Sequence, residues 1–468
     1  MRFIITFVAL FSLFFTAMDQ THAQAKKRNV VLIIADDLGM DLACYGNEKI
    51  KMPNLNKMAK NGVVFKNAYA SVASCSASRA SILTGMFTHQ NGQFGHAHNP
   101  HDQTTHSYIQ TLPFLLNRAG YHTGLVGKFH VAPGSLYPFH NLMTKGLNGN
   151  RDVVAMAEKA KEIIQNAGKK PFFIVHAFSD PHRSGKGFAN EKFPNDPKEV
   201  KYDPKDVIVP YFLPDRPEVR KELAEYYQSA SRLDRGVGLL IDVLRDAGEL
   251  DNTVIIFISD NGIPFPGAKT TLYDPGVHLP LLISSPDHKK GHSNDALVSY
   301  TDLAPTILDI AGAKRPKYKL PGKSLVPILN QTHPKGWDRA FCSHQFHEIT
   351  MYYPMRLLQT RKYSYIVNLA HKLDYPFASD LYASPTWQGV LKRGDKMMGK
   401  KSVESYLHRP LEELYDVQKD PMQLHNLAND PEHAQALQEL RREMMAWQQR
   451  TNDPWSILYR QGLVLGKK

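Results

Sequence analysis

The stretch "NVVLIIAD", residues 29–36, is an apolar, β-branched run closed by an aspartate. It is too short for a buried helix and lacks alternation, so it reads as a strand covered on both faces. "PFFIVHAFSD" (171–180), "NTVIIFISDNG" (252–262) and "LPLLISSP" (279–286) repeat the pattern. Between them lie helical stretches. "MPNLNKMAKNG" (52–62) has Pro53 near its start and Gly62 just past its end. "TLPFLLNRAG" (111–120) and "DVVAMAEKAKEIIQNAG" (152–168) also close on glycine, and residues 216–248 form a long amphipathic helix region. "YTDLAPTILDIAG" (300–312) adds another helix. Strands alternating with helices predict an α/β fold, a mostly parallel sheet sandwiched by helices.

After about residue 330 the texture changes. "RKYSYIVNL" (361–369) and "EELYDV" (412–417) read as antiparallel strands, and "PEHAQALQELRREMMAWQQR" (431–450) as a terminal helix. We expect residues 26–330 to form the catalytic domain and residues 331–468 a smaller α+β domain that completes the substrate pocket. Residues 1–25 read as a secretory signal peptide. Arg2 precedes an apolar run from Phe3 to Ala17, and "THAQA" offers cleavage after Ala23 or Ala25. The expected destination is the periplasm or the exterior. No later run is long enough to span a membrane.

The composition is that of a globular protein, 42% hydrophobic and 22% charged, with a formal net charge of +12. In an exported chain this balance suits an acidic polysaccharide or anionic small molecule better than nucleic acid. The three cysteines, Cys44, Cys75 and Cys342, are an odd count, so at least one thiol is unpaired.

Functional groups collect beyond the carboxyl ends of strands in such sheets. Two apolar strands deliver Asp36 and Asp37, and Asp260 and Asn261, at that point. Three carboxylates and an amide are hard oxygen ligands, suited to Ca²⁺ or Mg²⁺ rather than zinc. Acidic residues also end strands simply by starting turns. "SCSASRASILTGM" (74–86) places Cys75 among small residues, four positions before Arg79. A nucleophilic thiol with a distant histidine base, or an inert thiol, are both readings of a lone cysteine.

The stretch from Cys75 to Arg79 resembles the signature of the formylglycine-dependent sulfatases, whose fold is that of alkaline phosphatase. The resemblance implies that Cys75 is oxidised to formylglycine by a maturation enzyme and joins Asp36, Asp37, Asp260 and Asn261 around Ca²⁺, with Mg²⁺ second. It implies that Arg79 supports the modified residue. Ala77 stands where proline is commoner, as in substrates of the radical-type maturases of anaerobic bacteria. Further positions match. "GLVGKFHV" supplies Lys128 and His130, which in the family bind the formylglycine hydroxyl and assist turnover. "FSDPHRSG" supplies His182 and "PGAKTTLYDPGVHLP" supplies Lys269, which hold the sulfate and the leaving atom.

"HVAPGSLYPF", "SDPHRSG", "DNGIPFPGAKTTLY" and "HQFHEITMYYPMR" are similar to the heparan N-sulfatase branch, the sulfamidases. That implies hydrolysis of the N-linked sulfate of glucosamine in heparan fragments. Lys269 departs from that branch, which usually carries arginine there. His347, Glu348 and Arg356 become candidates for the sugar pocket, with an interdomain salt bridge as the alternative for this segment. Three other readings stay open: an O-sulfatase of a glycosaminoglycan, a phosphohydrolase of the same superfamily, and a non-catalytic binder of sulfated glycans. A homodimer is compatible with the sequence.

Overall fold

The computed structural model describes residues 27–193 and 198–456. The expected signal peptide, residues 1–25, lies outside the described residues. The large sheet has eight strands: β1 (Asn29–Ala35), β2 (Val63–Tyr69), β3 (His122–Gly127), β4 (Asn141–Met143), β5 (Phe172–Ala177), β6 (Thr253–Ser259), β7 (Leu281–Ser284) and β8 (His292–Ser299). Their order is β4-β3-β5-β1-β6-β7-β2-β8, parallel throughout except β7.

β1 is central, pairing with β5 on one side and β6 on the other, and all seven of its residues are buried. Its alternating side chains feed two cores. Val31 and Ile33 join the core built with the helices Pro53–Asn61, Val153–Ala167 and Pro217–Asp246. Val30, Leu32 and Ile34 join the core built with Cys75–Thr84, Leu112–Arg118 and Leu303–Ile310. Helices on both faces are the reason the strand runs are continuously apolar.

The second sheet contains β9 (Arg339–His344), β10 (Met355–Thr360) and β11 (Tyr363–Asn368). A small ribbon, β12 (Met397–Met398) with β13 (Lys401–Ser402), precedes its last strand, β14 (Glu412–Asp416). Its order is β14-β11-β10-β9, all antiparallel. The helix Ala434–Arg450 lays Leu437, Leu440, Met444 and Trp447 on one face of it. On the other face, Leu357, Ile366 and Tyr415 pack with Leu272, Tyr273 and Val277 beside the large sheet. Among the described residues no helix is long and apolar enough to cross a membrane.

Candidate active site

Ala35 of β1 lies opposite Ser259 of β6, so the residues that follow, Asp36 and Asp260, emerge side by side at the carboxyl edge. β3 ends at Gly127, where an added Cβ would sit 2.0 Å from the Ala177 carbonyl oxygen. Only glycine fits there, and Lys128 follows it into the site. Its Nζ donates to Asp36 Oδ2 at 2.6 Å. Asp37 and Asp260 are linked directly, through Asp37 N to Asp260 Oδ1 at 3.1 Å. Asn261 Nδ2 donates to Asp37 Oδ1 at 2.6 Å.

One carboxylate oxygen from each of Asp36, Asp37 and Asp260 lies within 4.8 Å of the other two. Asp36 Oδ1 and Asn261 Oδ1 are buried with no hydrogen-bond partner. Buried acceptors rarely go unpaired in a native protein. Burial and the Asp36 charge raise the Asp260 carboxyl above the usual carboxylate range. An all-oxygen donor set with two orphaned acceptors fits a hard divalent cation. Asp37, at φ 67°, holds a left-handed backbone beside this set, as does His130 at 45°. Thr270, φ 69°, is the costlier case because it is β-branched; Tyr375 Oη donates to its carbonyl at 2.7 Å and keeps it there.

Cys75 is the first residue of its helix and is fully buried. A helix N-terminus lowers a thiol pKa. Burial wins here and pushes it up to about 12, with Lys128, Asp36, Lys269 and Asp260 all close enough to act on it electrostatically. Burial thus works against the thiolate form of the unmodified residue. Arg79, from the same helix, donates Nε to Asp260 Oδ2 at 2.9 Å and Nη1 to the Lys128 carbonyl at 3.1 Å.

Lys269 is wholly buried and spends its ammonium on three acceptors: Asp37 Oδ2 at 2.9 Å, Asp380 Oδ2 at 2.9 Å and His182 Nε2 at 3.1 Å. Burial disfavours its charge, but Asp37 and Asp380 outweigh that and hold its pKa well above the usual lysine value. His182 Nδ1 faces the Arg183 carbonyl, which can only accept. The proton therefore sits on Nδ1, and Nε2 offers a lone pair. Burial, then Lys269, lowers the His182 pKa and keeps the ring neutral.

A cavity of about 440 Å³ opens over these groups, lined by His130, His182, Lys269, His347, Glu348 and Asp380 among others. His347 Nδ1 is 2.9 Å from Ser74 Oγ, beside the cysteine. Glu348 Oε1 accepts from Ser379 N at 2.8 Å and Oγ at 2.6 Å, pinning the segment that carries Asp380. Arg356 is not part of this wall. It is fully buried on β10, where Nε and Nη2 bind Asp453 at 2.6 and 2.8 Å, tying the second sheet to the end of the terminal helix. The sequence reading of Arg356 as a sugar contact is corrected accordingly; the residue forms a salt bridge, but one inside residues 331–468 rather than between domains.

The sequence reading also passed over His96, His98 and His101, which line the same cavity. Their signal was present as three histidines in six residues of "HAHNPH". His98 Nδ1 meets His130 Nε2 at 3.0 Å, while His130 Nδ1 is buried without a partner. Asp380 had no comparable signal.

Residues 28–313 match the sulfatase family model. The chain belongs to the sulfatase family. Residues 268–387 of this sulfatase further match the model of the N-sulphoglucosamine sulphohydrolase C-terminal region. Human N-sulphoglucosamine sulphohydrolase is 42% identical over 463 residues, covering 92% of each chain. An ulvan-active sulfatase of Formosa agariphila is 29% identical over 447 residues, covering 93% of this chain and 83% of its own. A solved structure in complex with its substrate D-glucosamine-2-N,6-O-disulfate has a TM-score of 0.66 at 22% identity, over 92% of this chain and 99% of that one. At that identity the likeness speaks for the fold. Sulfatases generally use formylglycine and a divalent metal.

Proposed function

We propose that this sulfatase hydrolyses the N-linked sulfate of glucosamine residues in heparan-type fragments. It would use a formylglycine formed from Cys75 and Ca²⁺ held by Asp36, Asp37, Asp260 and Asn261. One observation carries the substrate assignment. The region matching the N-sulphoglucosamine sulphohydrolase C-terminal model contains Lys269, His347, Glu348 and Asp380, all of which line the cavity at the reacting cysteine. The likeness therefore includes the walls of the pocket as well as the scaffold.

When bound, the calcium ion supplies Lewis acidity toward sulfate oxygens and the formylglycine hydrate supplies a hydroxyl nucleophile. The chain's own residues do the rest. Arg79, Lys128 and Lys269 would set three fixed positive charges around the sulfo group and offset the charge that develops on it. His130, whose Nε2 lies against His98 Nδ1, would assist turnover beside the modified residue. The leaving nitrogen needs a proton. His182, once protonated at Nε2, would give it, while Lys269 keeps its charge. The histidine-rich wall and basic balance suit an anionic sugar. The leader expected at residues 1–25 would deliver the enzyme to the periplasm or exterior, and a cysteine-oxidising maturase would act on Cys75. The test is sulfate release from N-sulfated glucosamine by protein whose Cys75 peptide shows the formylglycine mass. Absence of release from such protein contradicts the reading.

A further inference from the structure

Lys269 is shared between two carboxylates, Asp37 and Asp380, each 2.9 Å from its Nζ. One suffices to neutralise it. The second leaves a negative charge in the wall of a cavity built to receive a sulfo group, which it would repel. Asp380 Oδ1 is moreover buried with no partner, and a buried carboxylate oxygen without a donor is a rare arrangement. Asp380 is also held in place. Glu348 fixes Ser379 through both N and Oγ, and Ser379 opens the short segment bearing Asp380. A pinned, unsatisfied acceptor beside the sulfo-group cations calls for a hydrogen on the substrate's linking atom.

We propose that Asp380 forms a subsite for the sugar nitrogen, with Glu348 as its positioning residue. The carboxylate accepts the N–H of a sulfamate and then holds the ammonium left after hydrolysis. In that reaction water adds across the N–S bond: the sulfo group leaves as sulfate and the nitrogen, gaining two protons, ends as R–NH₃⁺. A sulfate ester presents only a bridging oxygen, whose lone pairs face Asp380 without a hydrogen between them. A site built around a substrate N–H rejects an analogue lacking it far more strongly than a shape difference does. The subsite thus deepens the proposed N-sulfatase reading and rests on it for its biological meaning.

The test uses the full-length matured protein with Ca²⁺ and two probes, glucosamine and glucose, with affinity read by calorimetry. The wild type is expected to prefer glucosamine by about tenfold or more, and Asp380→Asn to lose that preference while glucose binding stays the same. Glu348→Ala, which frees Asp380 without touching Lys269, is expected to shrink the preference, and it decides the matter where Asp380→Asn does not fold. No glucosamine preference in the wild type, or its retention in the variants, overturns the subsite. Hydrolysis of N-sulfated glucosamine by the wild type is measured alongside. Failure there removes the substrate reading, whereas the glucosamine preference is judged separately.

Discussion

Cys75 shows how environment decides chemistry at the scale of one residue. Its helix-start position favours a thiolate, but burial pushes its pKa up to about 12 and leaves it a poor nucleophile until it is modified. An unmodified serine carries one hydroxyl where an aldehyde hydrate carries two. Cys75→Ser is expected to lose kcat by on the order of 10⁴-fold or more with an unchanged melting temperature, read by steady-state turnover and calorimetry. The site residues legible from the strand pattern were Asp36, Asp37, Asp260 and Asn261; Lys128 was legible only through the family resemblance. Arg356 was misread for a physical reason. Its partner Asp453 lies far along the chain, and nothing in "YYPMR" says which face of an antiparallel strand points at the cavity. Asp380 was illegible because it reaches the site through contacts far apart in the chain, Lys269 on its own carboxylate and Glu348 on Ser379.

Among the elements, β1, β5, β6 and β7 were readable because a strand covered on both faces must be apolar throughout. β2 and β3 were not read. "VVFKNAY" carries Lys66 out to solvent beside the sheet edge, and "HTGLVG" breaks its pattern at Gly124, where an added Cβ would lie 2.6 Å from Ile163. Gly62 was read as a helix-ending glycine, and it does follow Asn61, but its backbone is extended at φ −133°. Glycine is needed there because a Cβ would stand 2.5 Å from the Ile283 carbonyl oxygen. The start of the Pro53–Asn61 helix is capped from another helix. Asp234 accepts from Leu55 N at 2.7 Å and Asn54 N at 3.1 Å. Asp234→Ala should therefore cost about 1–2 kcal/mol in denaturant unfolding without altering kcat. An unchanged unfolding midpoint would show that the contact contributes nothing.

For the whole molecule, two ionic features give testable consequences for stability. The Arg356–Asp453 pair anchors the second sheet. Burial raises the Asp453 carboxyl, but Arg356 outweighs it and holds the pKa below the usual carboxylate value. A depressed acid stabilises the fold above its unfolded pKa of about 3.9, and that contribution is lost as pH falls through the folded value. Asp453→Asn is thus expected to cost about 3–5 kcal/mol at pH 7, and the gap to wild type should narrow below about pH 4, read by urea unfolding across that range. A gap independent of pH would contradict the assignment. The second feature is the oxygen cluster at the carboxyl edge of the large sheet. Removing calcium with a chelator should abolish turnover and lower the melting temperature. Calcium at about a hundred times its Kd should restore about 2.7 kcal/mol of stability. Restoration by zinc in preference to calcium would contradict an all-oxygen site.

The proposed function joins a modified Cys75 to a pocket that recognises an N-sulfated amino sugar. It is tested most directly with matured wild type and its Cys75→Ala variant, each given two glucosamine-terminated heparan disaccharides, one N-sulfated and one only 6-O-sulfated. Release of sulfate from the N-sulfated disaccharide alone, absent in Cys75→Ala, is the predicted result. Release from the 6-O-sulfated disaccharide alone, or from neither by protein with confirmed formylglycine, would contradict it.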